Sequence, residues 1–439
     1  MKKYTLIISL VLLLNTAVSA QKITYYQHIA PIIKTKCAPC HRPGDAAPFS
    51  LLTYQDVAKR AGFIKKVTQS GYMPPWKPDT HYRDFQNDRS LSENEKQLIA
   101  AWVDQKAPEG KAGKGQSETL SLSATETQLH RKPDYVIKMK KAFLVKGDNK
   151  ERFIVFKIPF EQAQMQNVEA IEFESSNKKI IHHANFAVHP VEDGIDINQG
   201  DDYLNLTDDD RTKYAMYFPF KKTMTYYGGW IPGTSFESYP NDMGWIMPKR
   251  GVVLLTIHYA PAAVDMEDIS GINFFYKKTP INRKVSVISL GSGGIGEKSI
   301  EPYFMIPADS VRKFNLKITT PEDQSLLYVW PHMHLLGKDF KAYAVSPQGD
   351  TIKLVSIPSW DFRWQEIYRL KKLVKIPKGA ILTIEGTYDN TKENPNNPNH
   401  PPKMVFSAKD MKSTDEMMTL VMVFLPYKEG DETLVLDDK

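Results

Sequence analysis

Cysteine is almost absent from this chain: there are two in 439 residues. A disulfide framework is thereby excluded, and any thiol chemistry falls to a single pair. Charge of one sign is not concentrated either. The formal net charge is +6, from 57 Lys and Arg against 51 Asp and Glu, spread without a basic block, and nucleic acid is therefore excluded as the expected partner. Apolar runs are short everywhere beyond the N-terminus, so no membrane span is expected in the mature chain. Long helical periodicities are scarce too. What is present is a globular composition, 41% hydrophobic and 11% aromatic, in a length that suggests two or three domains.

The N-terminus reads Met1-Lys2-Lys3, then an apolar run from Leu6 to Leu14, then Val18-Ser19-Ala20. A positive start, a short apolar centre and small residues at −3 and −1 describe a cleavable secretory signal over 1–20, with Gln21 opening the mature chain. A retained anchor is the competing reading, disfavoured because the run is too short to span a bilayer comfortably. A periplasmic or secreted location is the resulting expectation.

The two cysteines stand three apart, in Cys37-Ala38-Pro39-Cys40-His41. This C-x-x-C-H spacing lets each thiol add across one haem vinyl group while the adjacent imidazole reaches the iron. A redox disulfide or half of a zinc site are the alternatives. A sixth ligand is expected from Met73, in Gly71-Tyr72-Met73-Pro74-Pro75-Trp76, where two prolines stiffen the loop; His28 and His81 compete with it. Further on, Ser92 and Glu95 have capping-box spacing at the start of a helix whose Leu98, Ile99 and Trp102 share one face. Residues 21–110 thus resemble a mostly α, class I-type cytochrome c domain carrying one covalent haem c. Residues 111–133 are rich in Gly, Ser, Thr and Lys and read as a linker, spanning about 25–30 Å if wholly flexible. Such a tether would let two redox partners move while staying close.

From Asp134 onward short β-rich runs alternate with Gly, Pro, Asn and Asp clusters: Arg152–Ile158, Val168–Phe173, Val252–His258, Val285–Leu290, Ser325–Val329 and Leu382–Tyr388. An antiparallel sandwich or barrel is the natural reading, with two units of about 150 residues each, over 134–284 and 285–439. Five of the eleven histidines fall in three strand-like contexts here: His182-His183, His258 and His332-Met333-His334. His332 and His334 would share a strand face and make a two-nitrogen metal clamp, with Met333 pointing away. Neighbours such as His182 and His183 point oppositely in a regular strand, and bind one ion together only at a bulge or strand end. Taken singly, each His is more readily a surface or hydrogen-bonded core residue.

The ordered set Gly229-Trp230-Ile231-Pro232-Gly233, Met247-Pro248, Leu255-Thr256-Ile257-His258-Tyr259-Ala260-Pro261, His334-Leu335-Leu336-Gly337, Trp364-Gln365, Tyr388-Asp389-Asn390 and Ser413-Thr414-Asp415-Glu416-Met417 resembles the copper type II, ascorbate-dependent monooxygenases. The resemblance spans roughly 134–428. It implies two antiparallel, eight-stranded, jelly-roll-like sandwich domains, each holding one copper, facing each other across a solvent-filled cleft. On that analogy His182, His183 and His258 hold an electron-storing copper. His332, His334 and Met417 hold the oxygen-activating one, with Met418 the alternative thioether; a soft thioether favours Cu(I). The implied reaction takes an organic C–H bond, O2 and two electrons to an alcohol and water. The substrate is unidentified, and the reductant is an ascorbate-like compound or a periplasmic electron donor acting through the haem. The animal members of the family carry several disulfides, which this chain does not have. Two other readings stay open: a non-enzymatic haem and copper electron carrier or copper-handling protein, and a β-rich binding module whose histidines are structural or hold zinc.

Overall fold

The computed structural model describes residues 22–113, 129, 131–208, 213, 215–233, 236–407 and 413–436. The proposed signal segment 1–20 and most of the proposed linker lie outside the described residues. Among the described residues, no helix is long and apolar enough to cross a membrane.

Residues 23–110 form a helical unit with its own core. The first helical stretch has π-type turns, Tyr25–Ile29 and Ile33–Cys37, flanking Ala30–Ile32, so both cysteines stand at its C-terminal end. Helices Tyr54–Ala58, Ala61–Gln69 and Glu93–Asp104 complete the unit. The last begins with the predicted capping box: Ser92 accepts from the Glu95 N–H and Glu95 reaches back to the Ser92 N–H. Its Ile99 and Trp102 face inward onto Tyr25, Ile29, Ile33 and Ile64.

Two β units follow, each built of packed sheets. In the first, a five-stranded sheet has the order Tyr203–Asn205, Arg152–Glu161, Arg250–Tyr259, Ile181–Pro190, Tyr226–Trp230. A six-stranded sheet built on Gln166–Ser175 and Ser270–Tyr276 covers one face. The central strand Arg250–Tyr259 is buried almost throughout because its other face is covered as well, by Val191, Ile197, Tyr217 and Phe220. That double covering explains a continuous apolar run where a one-sided strand would alternate. In the second unit the five-stranded sheet places Thr419–Pro426 and Gln324–His332 at its centre, and Val311–Thr319, Ile381–Asp389, Gly337–Val345 and Thr351–Ile357 form the opposing sheet. The six β runs read from the sequence all fall within strands or begin one residue before them. The eight strands per unit implied by the resemblance are exceeded, chiefly by two- and three-residue pieces, and two of these short pairings are parallel.

The β units share one apolar core: Tyr226, Trp230, Met243 and Trp245 of the first pack in the same cluster as Leu327, Tyr328, Trp330, Val421 and Val423 of the second. Gly229 admits this contact, since a Cβ there would collide with the Trp330 ring. At the rim, Arg283 donates to both Asp431 carboxylate oxygens (2.7 and 2.6 Å), and Ser325 donates to the same group at 2.5 Å. Burial opposes ionisation of Asp431, but these donors and the Lys428 N–H outweigh it and hold the carboxyl below its ordinary value. Its contribution to stability is therefore complete above pH ~4 and is lost as pH falls through the lower folded-state value. Thermal unfolding followed between pH 5 and 2.5 should show a shallower acid slope in Asp431→Asn than in the parent; parallel slopes would remove Asp431 from the acid response.

The helical unit is docked on the β units. Phe85 is buried in the second unit's core and bridges to Leu370, and Trp76 packs edge-on against Tyr368 at 5.5 Å. The expectation of a unit free to swing on its tether gives way to a buried aromatic and ionic interface.

Candidate metal centres

The first centre is made by a β-bulge. Strand Arg250–Tyr259 pairs His258 with His183, and then Tyr259 with Ile181. His182 is the extra residue in that step, so its imidazole is released from strict alternation and stands beside its neighbour's. The Nδ1 atoms of His182 and His183 are 3.2 Å apart, and one ring nitrogen from each of His182, His183 and His258 lies within 4.8 Å of the others. Imidazole nitrogens held about 2.0–2.1 Å from a first-row ion stand about 3.3 Å apart on a tetrahedral edge, so the His182–His183 spacing matches a shared ion.

Electrostatics prepare the same nitrogens. Burial lowers His182 to about 4, and the neighbouring His258 adds to the shift. Burial also holds His183 well below its ordinary value, with His258, His182, His332 and His334 contributing. Neutral rings keep a lone pair for a metal. The ring nitrogens of His258 are buried and make no hydrogen bond of acceptable geometry. The Glu151 carboxylate lies 3.2 Å from Nε2, and Phe153 stacks on the ring at 4.0 Å. Orphaned nitrogens at this depth are costly unless something binds them. The site fits an ion.

The second centre lies at the end of strand Gln324–His332. The Nε2 atoms of His332 and His334 are 3.1 Å apart. Both Nδ1 atoms are engaged elsewhere: His332 with Gln365 Oε1, and His334 with the Asp415 carbonyl at 3.0 Å. An imidazole whose Nδ1–H is given to an outer acceptor presents its Nε2 lone pair in a fixed direction, the usual arrangement of a metal-bound His. Burial lowers His332, opposed by the Gln365 contact, so that ring also stays neutral. Met333 points away, into the second unit's core. Met418 is fully buried in the same core, whereas Met417, also buried, is not part of that cluster. Met417 is placed by its backbone: its N–H donates to Glu416 at 3.2 Å, and its carbonyl accepts from the Tyr388 hydroxyl at 2.7 Å.

Glu416 organises the turn. Its buried carboxylate also accepts from the N–H groups of His334 (2.9 Å) and Leu336 (2.6 Å). Burial pushes the carboxyl up to about 8 against these donors.

Between the two centres stands Phe362, a buried side chain. Its ring centroid is 5.6 Å from His182, 6.2 Å from His183, 6.3 Å from His258 and 5.6 Å from His334. An aromatic ring thus occupies space between the centres where the resemblance implies solvent.

Residues 306–398 match the family model of the copper type II ascorbate-dependent monooxygenase, C-terminal domain. The match supports that family and its copper chemistry. It includes His332, His334, Phe362 and Gln365, and stops short of Met417 and of the first centre. No curated protein matches. Among solved structures, the major capsid protein P2 of bacteriophage PM2 aligns at a TM-score of 0.25 and 9% identity, over 68% of this chain and 99% of that one. PNGF-II aligns at 0.27 and 9%, over 66% and 65%. At such scores these likenesses carry no argument.

In the helical unit, the Cys40 and His41 N–H groups point back to the Cys37 carbonyl (3.2 and 3.0 Å), and the thiols are not joined. Burial raises Cys37 to about 12, with Cys40 adding to the shift, and Cys40 to about 11. Reactive dithiols need the opposite shift. The His41 Nδ1 is engaged by the Phe49 carbonyl at 3.0 Å, so Nε2 is the nitrogen that would be left to a haem iron if the two thiols carried one. Met73 is half-buried on the loop after Ala61–Gln69. His28 accepts from the Thr24 N–H at 3.0 Å, and His81 is exposed.

Sequence reasoning missed Phe362 and Glu151, and the roles of Gln365 and Glu416. The last two had a signal, their places in the Trp364-Gln365 pair and the Asp415-Glu416-Met417 motif.

Proposed function

We propose that this chain is an exported copper-dependent monooxygenase that hydroxylates an organic C–H bond with O2, with electrons entering through a haem c on Cys37 and Cys40. The observation that carries the reading is the pair of imidazole clusters at metal-ligand spacing, one of them inside the matched stretch. In this reading His182, His183 and His258 hold one copper, and His332, His334 and Met417 hold the other. In the same reading the helical unit is cytochrome c-like, and Cys37, Cys40 and His41, with Met73, would hold the haem and let it carry electrons. Copper supplies one-electron redox chemistry and O2 activation. The chain's own residues do the rest: burial keeps His182, His183 and His332 neutral, Gln365 and the Asp415 carbonyl fix the ring tautomers, and Glu416 sets the backbone carrying His334 and Met417.

Phe362 favours a second reading. A buried ring between the centres suits a carrier that passes electrons without admitting a large substrate. Metal analysis and oxygen uptake separate the two. The monooxygenase reading expects two coppers per haem and substrate-dependent O2 consumption by the ascorbate-reduced protein. Two coppers without such consumption would favour the carrier; zinc or no metal would defeat both.

A further inference from the structure

The irregular segment 358–367, between strands Thr351–Ile357 and Tyr368–Ile376, touches both imidazole clusters and the helical unit. Facing the clusters, Phe362 lies against four of the five imidazoles and Gln365 holds the fifth. The two are tied together, since the Gln365 amide donates to the Phe362 carbonyl at 2.9 Å.

Glu366, one residue further on, faces the opposite way. Its carboxylate is almost fully buried and pairs with the Arg89 guanidinium. The Asn87 amide donates to the same carboxylate at 2.7 Å and to the Ile367 carbonyl at 3.0 Å, and Asn87 Oδ1 accepts from the Arg369 N–H at 3.1 Å. Arg89 also donates to the Gly233 carbonyl of the first β unit at 2.7 Å. Gly233 has φ +84° and packs so closely on Cys40 that a Cβ would overlap the sulfur. One guanidinium therefore meets the helical unit, both β units and the neighbourhood of the C-x-x-C-H turn.

We propose that the buried Arg89–Glu366 pair is a latch by which the docked helical unit holds Gln365 and Phe362 in place, making Arg89 a positioning residue for the His332/His334 centre. This rests on the reading that His332 and His334 bind copper. Without Arg89, the Glu366 carboxylate loses its closest counter-charge in a buried site. The segment then shifts to rehydrate it, and Gln365 leaves the His332 Nδ1. Loss of such an outer hydrogen bond lowers metal affinity by about 10–100-fold.

The test uses the full haem-loaded chain, with Arg89→Met, Arg89→Lys and Gln365→Ala. Hydrogen exchange of copper-free protein should rise over residues 359–367 in Arg89→Met. Copper titration, with the His332→Ala protein identifying the relevant binding phase, should show affinity at His332/His334 lowered tenfold or more. Arg89→Lys should recover part of both effects. Should Arg89→Met fail to fold, Glu366→Gln puts the same question, because it removes the charge and keeps the Asn87 contact. Parent-like exchange and affinity in Arg89→Met, beside a loss in Gln365→Ala, would overturn the latch while leaving the copper reading intact. A parent protein that takes up no copper at His332/His334 would defeat the copper reading and, with it, the assignment of Arg89 to that centre.

Discussion

On the proposed monooxygenase reading, His332→Ala is expected to lose one of two coppers and to abolish oxygen-dependent hydroxylation, leaving the haem spectrum as in the parent. The clamp has two nitrogens, 3.1 Å apart, and one of them disappears. His334 is left with its Nδ1 engaged by the Asp415 carbonyl and no second imidazole beside its Nε2. The loss should exceed the roughly 10–100-fold that removal of an outer-shell partner costs. His41 is insulated from the change, because its ring is fixed by Phe49 through both a hydrogen bond and a ring contact at 4.7 Å. Copper per chain by elemental analysis, the visible haem bands and O2 uptake form the set of measurements. Retained turnover, or an unchanged copper count, would remove His332 from the centre.

The contrast between the centres shows how far sequence can be read. The closeness of His332 and His334 was legible because strand period puts residues two apart on one face and an apolar run announced the strand, although the strand ends at His332 and His334 stands just past it. The first centre was legible only as a condition. Two adjacent imidazoles need a bulge, and its position is set by how Arg250–Tyr259 pairs with Ile181–Pro190, a register fixed by side chains some seventy residues apart. Phe362 was not legible, and Gln365 was legible only as part of the Trp364-Gln365 pair, with no role attached. They sit in a segment without periodicity, and their partners, His182 and His332 among them, come from distant parts of the chain. The docked helical unit escaped for the same reason: composition suggested a flexible tether at 111–133, while the contacts that hold the unit, from Trp76, Phe85, Asn87 and Arg89, lie before it.

Glu416 carries the second large expected effect, and it bears on stability. In Glu416→Ala, the N–H groups of His334, Leu336 and Met417 lose their acceptor at a site where the side chain was 1% exposed. A buried group left unsatisfied costs about 1–3 kcal/mol. Three of them, with some relief from entering water, amount to roughly 3–6 kcal/mol, a large part of the 5–15 kcal/mol by which a domain is typically stable. At about 2–4 °C per kcal/mol for a unit of this size, melting of the second β unit should fall by roughly 6–24 °C. Glu416→Gln keeps one acceptor oxygen but turns an amide NH2 toward backbone donors, so its melting point should lie between alanine and parent. Because the same carboxylate sets the backbone carrying His334 and Met417, copper affinity should fall at the second centre and hold at His182, His183 and His258. Calorimetric melting with parallel copper titration checks both parts. A Glu416→Ala protein that melts within about 2 °C of the parent would show that the turn keeps its shape without the carboxylate, and the link from Glu416 to the metal ligands would then be lost.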